Sequence, residues 1–242
     1  MKDDNNLTTR QEYREFLNDN FEGLRLRKPL FYNWDFGLRF DLQKGETSNS
    51  SRMILDGEGN VIPLVGDTDT DEYFQEETKR ASTIFQSAFD NSDKVFLVLM
   101  DYKYKRRKIK FSNFSFKQVD NLKKTEVHYS KAKRLYEPND KFDIRNVAII
   151  KLTTDRINYK NILTAIGHTD FPPRQPRLDN NGFLTCKEVY FVNIDKKLIF
   201  HMYDDRGLEL ISANKETLRP IYKKHNDWIL DYDRKQIDKL FE

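Results

Sequence analysis

Residues 95–100 are six consecutive apolar residues, Val-Phe-Leu-Val-Leu-Met, in a chain in which one residue in three is charged (33%). The run is far too short to span a bilayer, which takes about 20 apolar residues. Its length and β-branched members instead suit a central strand buried on both faces. Such a strand needs a neighbour on each side and a layer against each face. A sheet flanked by helices is therefore the first expectation.

The rest of the chain supplies those parts. Residues 34–42 alternate strictly: Trp34, Phe36, Leu38, Phe40 and Leu42 against Asp35, Gly37, Arg39 and Asp41. That is a strand with one buried face. Residues 53–55 and 61–64 flank a Gly-containing acidic turn and predict a hairpin. Residues 71–89 predict a helix, capped by Thr70, with anionic side chains in its first turn. Tyr73, Phe74, Ala81, Ile84, Phe85 and Ala88 form its apolar stripe. A first helix is expected over 9–17, with Thr9 and Glu12 at capping-box spacing. Strands are expected at 125–135 and 146–153, then a helix over 158–166 ended by Gly167. Residues 105–122 fit either a loop or a short helix. After a stiff Pro-rich connector at 171–177 come strands at 183–193, 198–203 and 208–212. Helices follow at 215–225, which Pro220 should end or kink, and at 233–241. This order predicts an α+β fold with a mostly antiparallel central sheet and a C-terminal meander followed by helices. One domain, residues 1–242, is expected, with 178–242 as a C-terminal subdomain at most.

Cys186 is the only cysteine, which excludes an internal disulfide and a multi-cysteine zinc site. No segment is long and apolar enough to cross a membrane. The first ten residues lack the apolar core of a secretory leader. A cytoplasmic protein is expected. Charge is uneven along the chain: residues 1–102 carry a net −8 and residues 103–145 a net +9. The basic middle can cover the acidic start, or be left facing an acidic partner.

Metal chemistry finds no support in the motifs. The four histidines, His128, His168, His201 and His225, are not at ligand spacing. Asp67, Asp69 and Asp71 begin like a calcium loop, but Glu72 and Thr78 stand where it needs Gly and Glu. Helix-capping acids explain them better. No metal and no cofactor is expected. Cys186 lacks a local base that would make it a nucleophile.

Two stretches remain as candidate sites. His201, Asp204 and Asp205 lie near a strand end and contain the groups for acid–base work or for holding a divalent ion. Against that, Asp204, Asp205, Arg206 and Gly207 read as a β-turn, and residues three apart on a regular strand face opposite ways. Lys103, Lys105, Arg106, Arg107, Lys108 and Lys110, with Lys117 beyond, precede or surround Phe111, Phe114 and Phe116. Cations interleaved with aromatics are how single-stranded nucleic acid is held. The plainer reading is a solvated basic sheet edge. Asp35, Arg39 and Asp41 share a strand face, as a surface ion pair would.

The stretches at 189–195, 199–207, 218–222 and 228–233 resemble an uncharacterised bacterial family, DUF3885. So do residues 33–40, 104–109 and 170–171. The resemblance covers most of the chain and implies no activity. A non-catalytic protein that binds a protein partner is the leading expectation, with neutralisation of that partner, as by an immunity protein, as one form of it. Nucleic-acid binding through 103–117 is the second, and a hydrolase-like use of His201, Asp204 and Asp205 the third. Oligomeric state is not set by the sequence.

Overall fold

The computed structural model describes residues 7–43, 53–55, 61–63, 70–102, 108–178 and 187–242. The fold is α+β. Strands β1 (Gly37–Asp41), β4 (Lys94–Tyr102), β5 (His128–Lys133), β6 (Ile144–Thr153), β7 (Lys187–Asn193), β8 (Leu198–Asp204) and β9 (Gly207–Ser212) form one sheet. Its order is β1-β9-β8-β7-β4-β6-β5. Every pairing is antiparallel. Strands β2 (Met53–Leu55) and β3 (Val61–Pro63) pair separately as the expected hairpin.

The apolar run sits near the sheet's middle, between β6 and β7. Val95, Leu97 and Leu99 face one core, and Phe96, Val98 and Met100 the other. The first core is closed by helices α2 (Asp71–Ala88), α3 (Tyr159–Gly167), α4 (Lys215–Lys224) and α5 (Asp231–Phe241). The second is closed by α1 (Thr9–Asn20) and the segment carrying Phe21, Leu26 and Leu30. No described helix is long and apolar enough to cross a membrane.

Several boundaries differ from expectation for identifiable reasons. Helix α1 is capped by Thr8 with Gln11 as its box partner, one residue earlier than Thr9 and Glu12. Strand β1 starts at Gly37, because residues 31–33 form a 3₁₀ turn. Trp34 ahead of it is held by its indole N–H, which donates to Ser212 O at 2.7 Å. Helix α4 runs on past Pro220. Gly167 is the last residue of α3 and has an ordinary helical backbone, so it is not a left-handed cap. Its lack of a side chain serves packing: a Cβ there would meet the Glu77 carboxylate at 2.7 Å. Beyond the Pro-rich connector, β7 pairs with β4, so the C-terminal strands complete the same sheet.

Candidate functional site

Strand β5 is the last of the sheet, and α1 lies against it and β6. Tyr13 anchors α1, its ring edge-on to Phe96 at 5.4 Å. That anchoring leaves Arg10 and Arg14, one turn apart, exposed beside Ser130 and Lys131 of β5. Lys108 approaches over the Tyr129 ring at 5.1 Å, and Tyr129 Oη donates to Ile109 O at 3.1 Å. Arg25 comes from the α1 side and donates to Lys133 O at 2.8 Å. Two adjoining hollows of about 350 and 260 Å³ result, sharing Arg10, Arg14, Ser130 and Lys131. Among the described residues, five cations line them and no carboxylate does. Asn146 lines the larger one at 3% exposure, and its Nδ2 has no hydrogen-bond partner among the described residues. A buried donor without an acceptor is costly unless something supplies one.

The expected basic–aromatic stretch divides here. Lys103, Lys105, Arg106 and Arg107 lie outside the described residues. Lys108 and Lys110 are exposed. Phe116 is buried in the core, and Phe111 and Phe114 pack against it half-buried. The aromatics therefore turn inward rather than forming an exposed stacking surface.

The acidic turn builds a different place. Strand β8 has a bulge between Met202 and Asp204. His201 faces the α1 side, buried and stacked on Tyr190 with centroids 4.3 Å apart. Its Nδ1 lies 3.7 Å from Glu209 Oε2. Asp204 and Asp205 stand on the other side of the sheet, by α2 and α3, so the three candidate residues do not converge. Instead Asp204 and Asp205 meet Asp170, which follows α3: each offers one oxygen, and all three oxygens lie within 4.8 Å of one another. Tyr73 of α2 donates to Asp205 Oδ2 at 2.5 Å. The backbone N–H and guanidinium of Arg206 both bind Asp204. Glu77, one turn after Tyr73, has no exposed surface. Burial pushes its carboxyl well above the usual carboxylate range, and Asp205 and Asp204 push it further. Asp205 is pushed up to about 6, chiefly by burial, with Asp204 adding and the Tyr73 hydrogen bond opposing.

Asp170 and Glu77 escaped the sequence reading because they come from segments far apart in the chain. Glu77 did leave a signal, since it occupies a core-facing position in the stripe between Phe74 and Ala81. Arg39 is also deeper than a surface pair: its Nη1 reaches Asp233 Oδ2 at 3.0 Å and its Nε lies 4.0 Å from the buried Glu209. Cys186, Asp67 and Asp69 lie outside the described residues.

A family model described as a domain of unknown function, DUF3885, matches residues 13–233. The chain belongs to the DUF3885 family. The match includes Arg14, Lys131 and Asn146 of the basic hollows and all four acids by the turn. A DUF3885 chain of this kind is similar to the uncharacterized protein YnaE of Bacillus subtilis (strain 168). The two are 27% identical over 222 residues, covering 90% of this chain and 96% of that one. No solved structure matches. The DUF3885 description assigns no activity.

Proposed function

We propose that this is a non-catalytic binding protein that takes an acidic segment of a protein partner along the outer edge of β5. The observation that carries this reading is the set of five cations, Arg10, Arg14, Arg25, Lys108 and Lys131, lining the two hollows with no carboxylate among the described lining residues. An incoming carboxylate supplies the missing negative charge and accepts charge-assisted hydrogen bonds from these side chains. An edge strand also offers main-chain groups to an extended segment, the mode of strand addition. Electrostatic attraction of this kind speeds encounter and selects partners. A protein that neutralises its partner, as an immunity protein does, would act by such occupation. A protein partner is favoured over single-stranded nucleic acid because the neighbouring phenylalanines pack inward and Tyr129 is covered by Lys108. The separation of His201 from Asp204 and Asp205 favours binding over acid–base catalysis.

The test compares capture from host lysate by the wild type, by an Arg10→Glu/Arg14→Glu variant and by a Lys160→Glu control on the opposite face. The expected result is one near-stoichiometric protein, retained by the wild type and the control and lost by the double variant. Capture that is nuclease-sensitive, or that survives the double reversal, overturns the reading.

A further inference from the structure

We propose that Asp170, Asp204, Asp205 and Glu77 form a binding site for a hard divalent cation, between the β8–β9 turn and helices α2 and α3. Three carboxylate oxygens within 4.8 Å of one another are not enough alone, since acidic groups often gather without an ion. The second observation is Glu77. It is fully buried, and its Oε1 finds no hydrogen-bond partner among the described residues. Among the described residues, Oε2 accepts only the Thr78 hydroxyl, at 3.1 Å.

Two contacts tie Glu77 to the elements that carry the three aspartates. Tyr73 stands one turn earlier on the same face of α2 and touches Asp205. Gly167, whose Cα lies against the Glu77 carboxylate, begins the turn that carries Asp170 three residues on. An acid with one oxygen unpartnered among the described residues, packed under a glycine and within the field of Asp204 and Asp205, is expensive without a counter-charge.

The chemistry of the donors names the class. All are carboxylate oxygens, with no sulfur and no imidazole in the set, so a hard cation is selected over zinc or copper. A site made of carboxylates from three segments suits calcium, which takes about six to eight oxygens in flexible geometry, better than magnesium, which demands a near-ideal octahedron and keeps several waters. Calcium fits best. Asp170 is exposed and gives the ion a way in. Arg206, on the solvent side, holds Asp204 until an ion displaces it. Histidine spacing and linear loop patterns could not register this site, because its ligands come from three separate segments.

Thermal melting and calorimetric titration of chelator-treated full-length protein test this with Ca²⁺, Mg²⁺ and Mn²⁺ separately. The expected result is a saturable, one-to-one interaction, strongest with Ca²⁺, that raises the melting temperature by several degrees. Glu77→Gln and Asp205→Asn should each abolish that rise. In chelator, Glu77→Gln should melt at or above the wild type, because it removes repulsion; a merely structural glutamate would give a lower melting point. A control, Asp90→Asn, should leave the rise intact. Absence of a saturable shift with all three ions at millimolar concentration overturns the proposal. So does a shift that persists in both Glu77→Gln and Asp205→Asn.

Discussion

Gly207 shows how tightly single residues are fixed around the acidic turn. It pairs with Asp204 and with Asp41, and a Cβ on it would lie 2.7 Å from the backbone oxygen of Phe40. Backbone cannot swing aside as a side chain can. Gly207→Ala should therefore cost about 1–3 kcal/mol by overpacking, read as a lower denaturation midpoint at unchanged slope. A midpoint equal to the wild type would show that β1 yields. On the opposite face, Glu188 Oε2 accepts from the hydroxyls of Tyr190 at 2.5 Å and Tyr136 at 2.8 Å. Both donors serve one buried oxygen, with Arg145 3.6 Å from the other. Tyr190→Phe keeps the ring packing and its stack on His201 but strips one donor from a buried carboxylate. A loss of about 1–3 kcal/mol is expected from equilibrium unfolding. An unchanged free energy would mean that the remaining donors suffice. These networks were not legible in advance. Sequence periodicity tells which side of a strand is buried, not which buried polar groups meet across neighbouring strands.

Elements were more legible than their ends. The both-face burial of β4 followed from six apolar residues in a row, and α2 from its cap and stripe, because hydrophobic periodicity reports burial directly. Strand β1 is shorter than its alternation, since burial continues at Phe36 and Trp34 after regular pairing stops. The acid turn was half legible: local sequence exposed Asp204 and Asp205, while Asp170 and Glu77 join them only through helix packing. The docking of α2 on the end of α4 also sets a pH response. Ser87 Oγ of α2 lies 2.8 Å from His225 Nε2, and the ring stacks on Trp228 at 5.1 Å and meets Phe40 edge-on. Burial, then the charge of Lys224, lowers the His225 pKa, and Arg80 stands over the Trp228 ring as a further nearby cation. The folded state thus prefers the neutral ring. As pH falls below the unfolded value, about 6.5, the unfolded chain takes up the proton first and stability declines until the folded value is passed. The wild type should lose more melting temperature between pH 8 and pH 5.5 than His225→Gln does. Equal losses in the two proteins would remove His225 as the source.

At the scale of the whole molecule, the two edges of the sheet are treated differently. The β1 edge is sealed by the chain's own C-terminal part: Leu230 N–H donates to Arg39 O at 2.9 Å, and Ile229 bridges Phe40. At the other edge, β5 carries exposed Lys131 and Lys133. Lys108, Lys131 and Lys133 of the basic middle stand on this side, so part of a charge asymmetry visible in the sequence becomes a spatial one because β5 is terminal. Like charge on an edge strand keeps two copies from pairing strand to strand, while leaving the edge open to a segment of opposite sign. Removing the charge and raising strand propensity together should therefore turn this edge into a self-association surface. Lys131→Val/Lys133→Val should form a concentration-dependent dimer or larger species by sedimentation velocity, beyond whatever association the wild type shows at the same concentration. Lys131→Glu/Lys133→Glu should not gain association, because the edge again carries like charge, and it should not bind the acidic segment proposed above. If the valine variant sediments as the wild type does, the lysines are not what keeps the edge from pairing, and the edge is blocked by something other than charge.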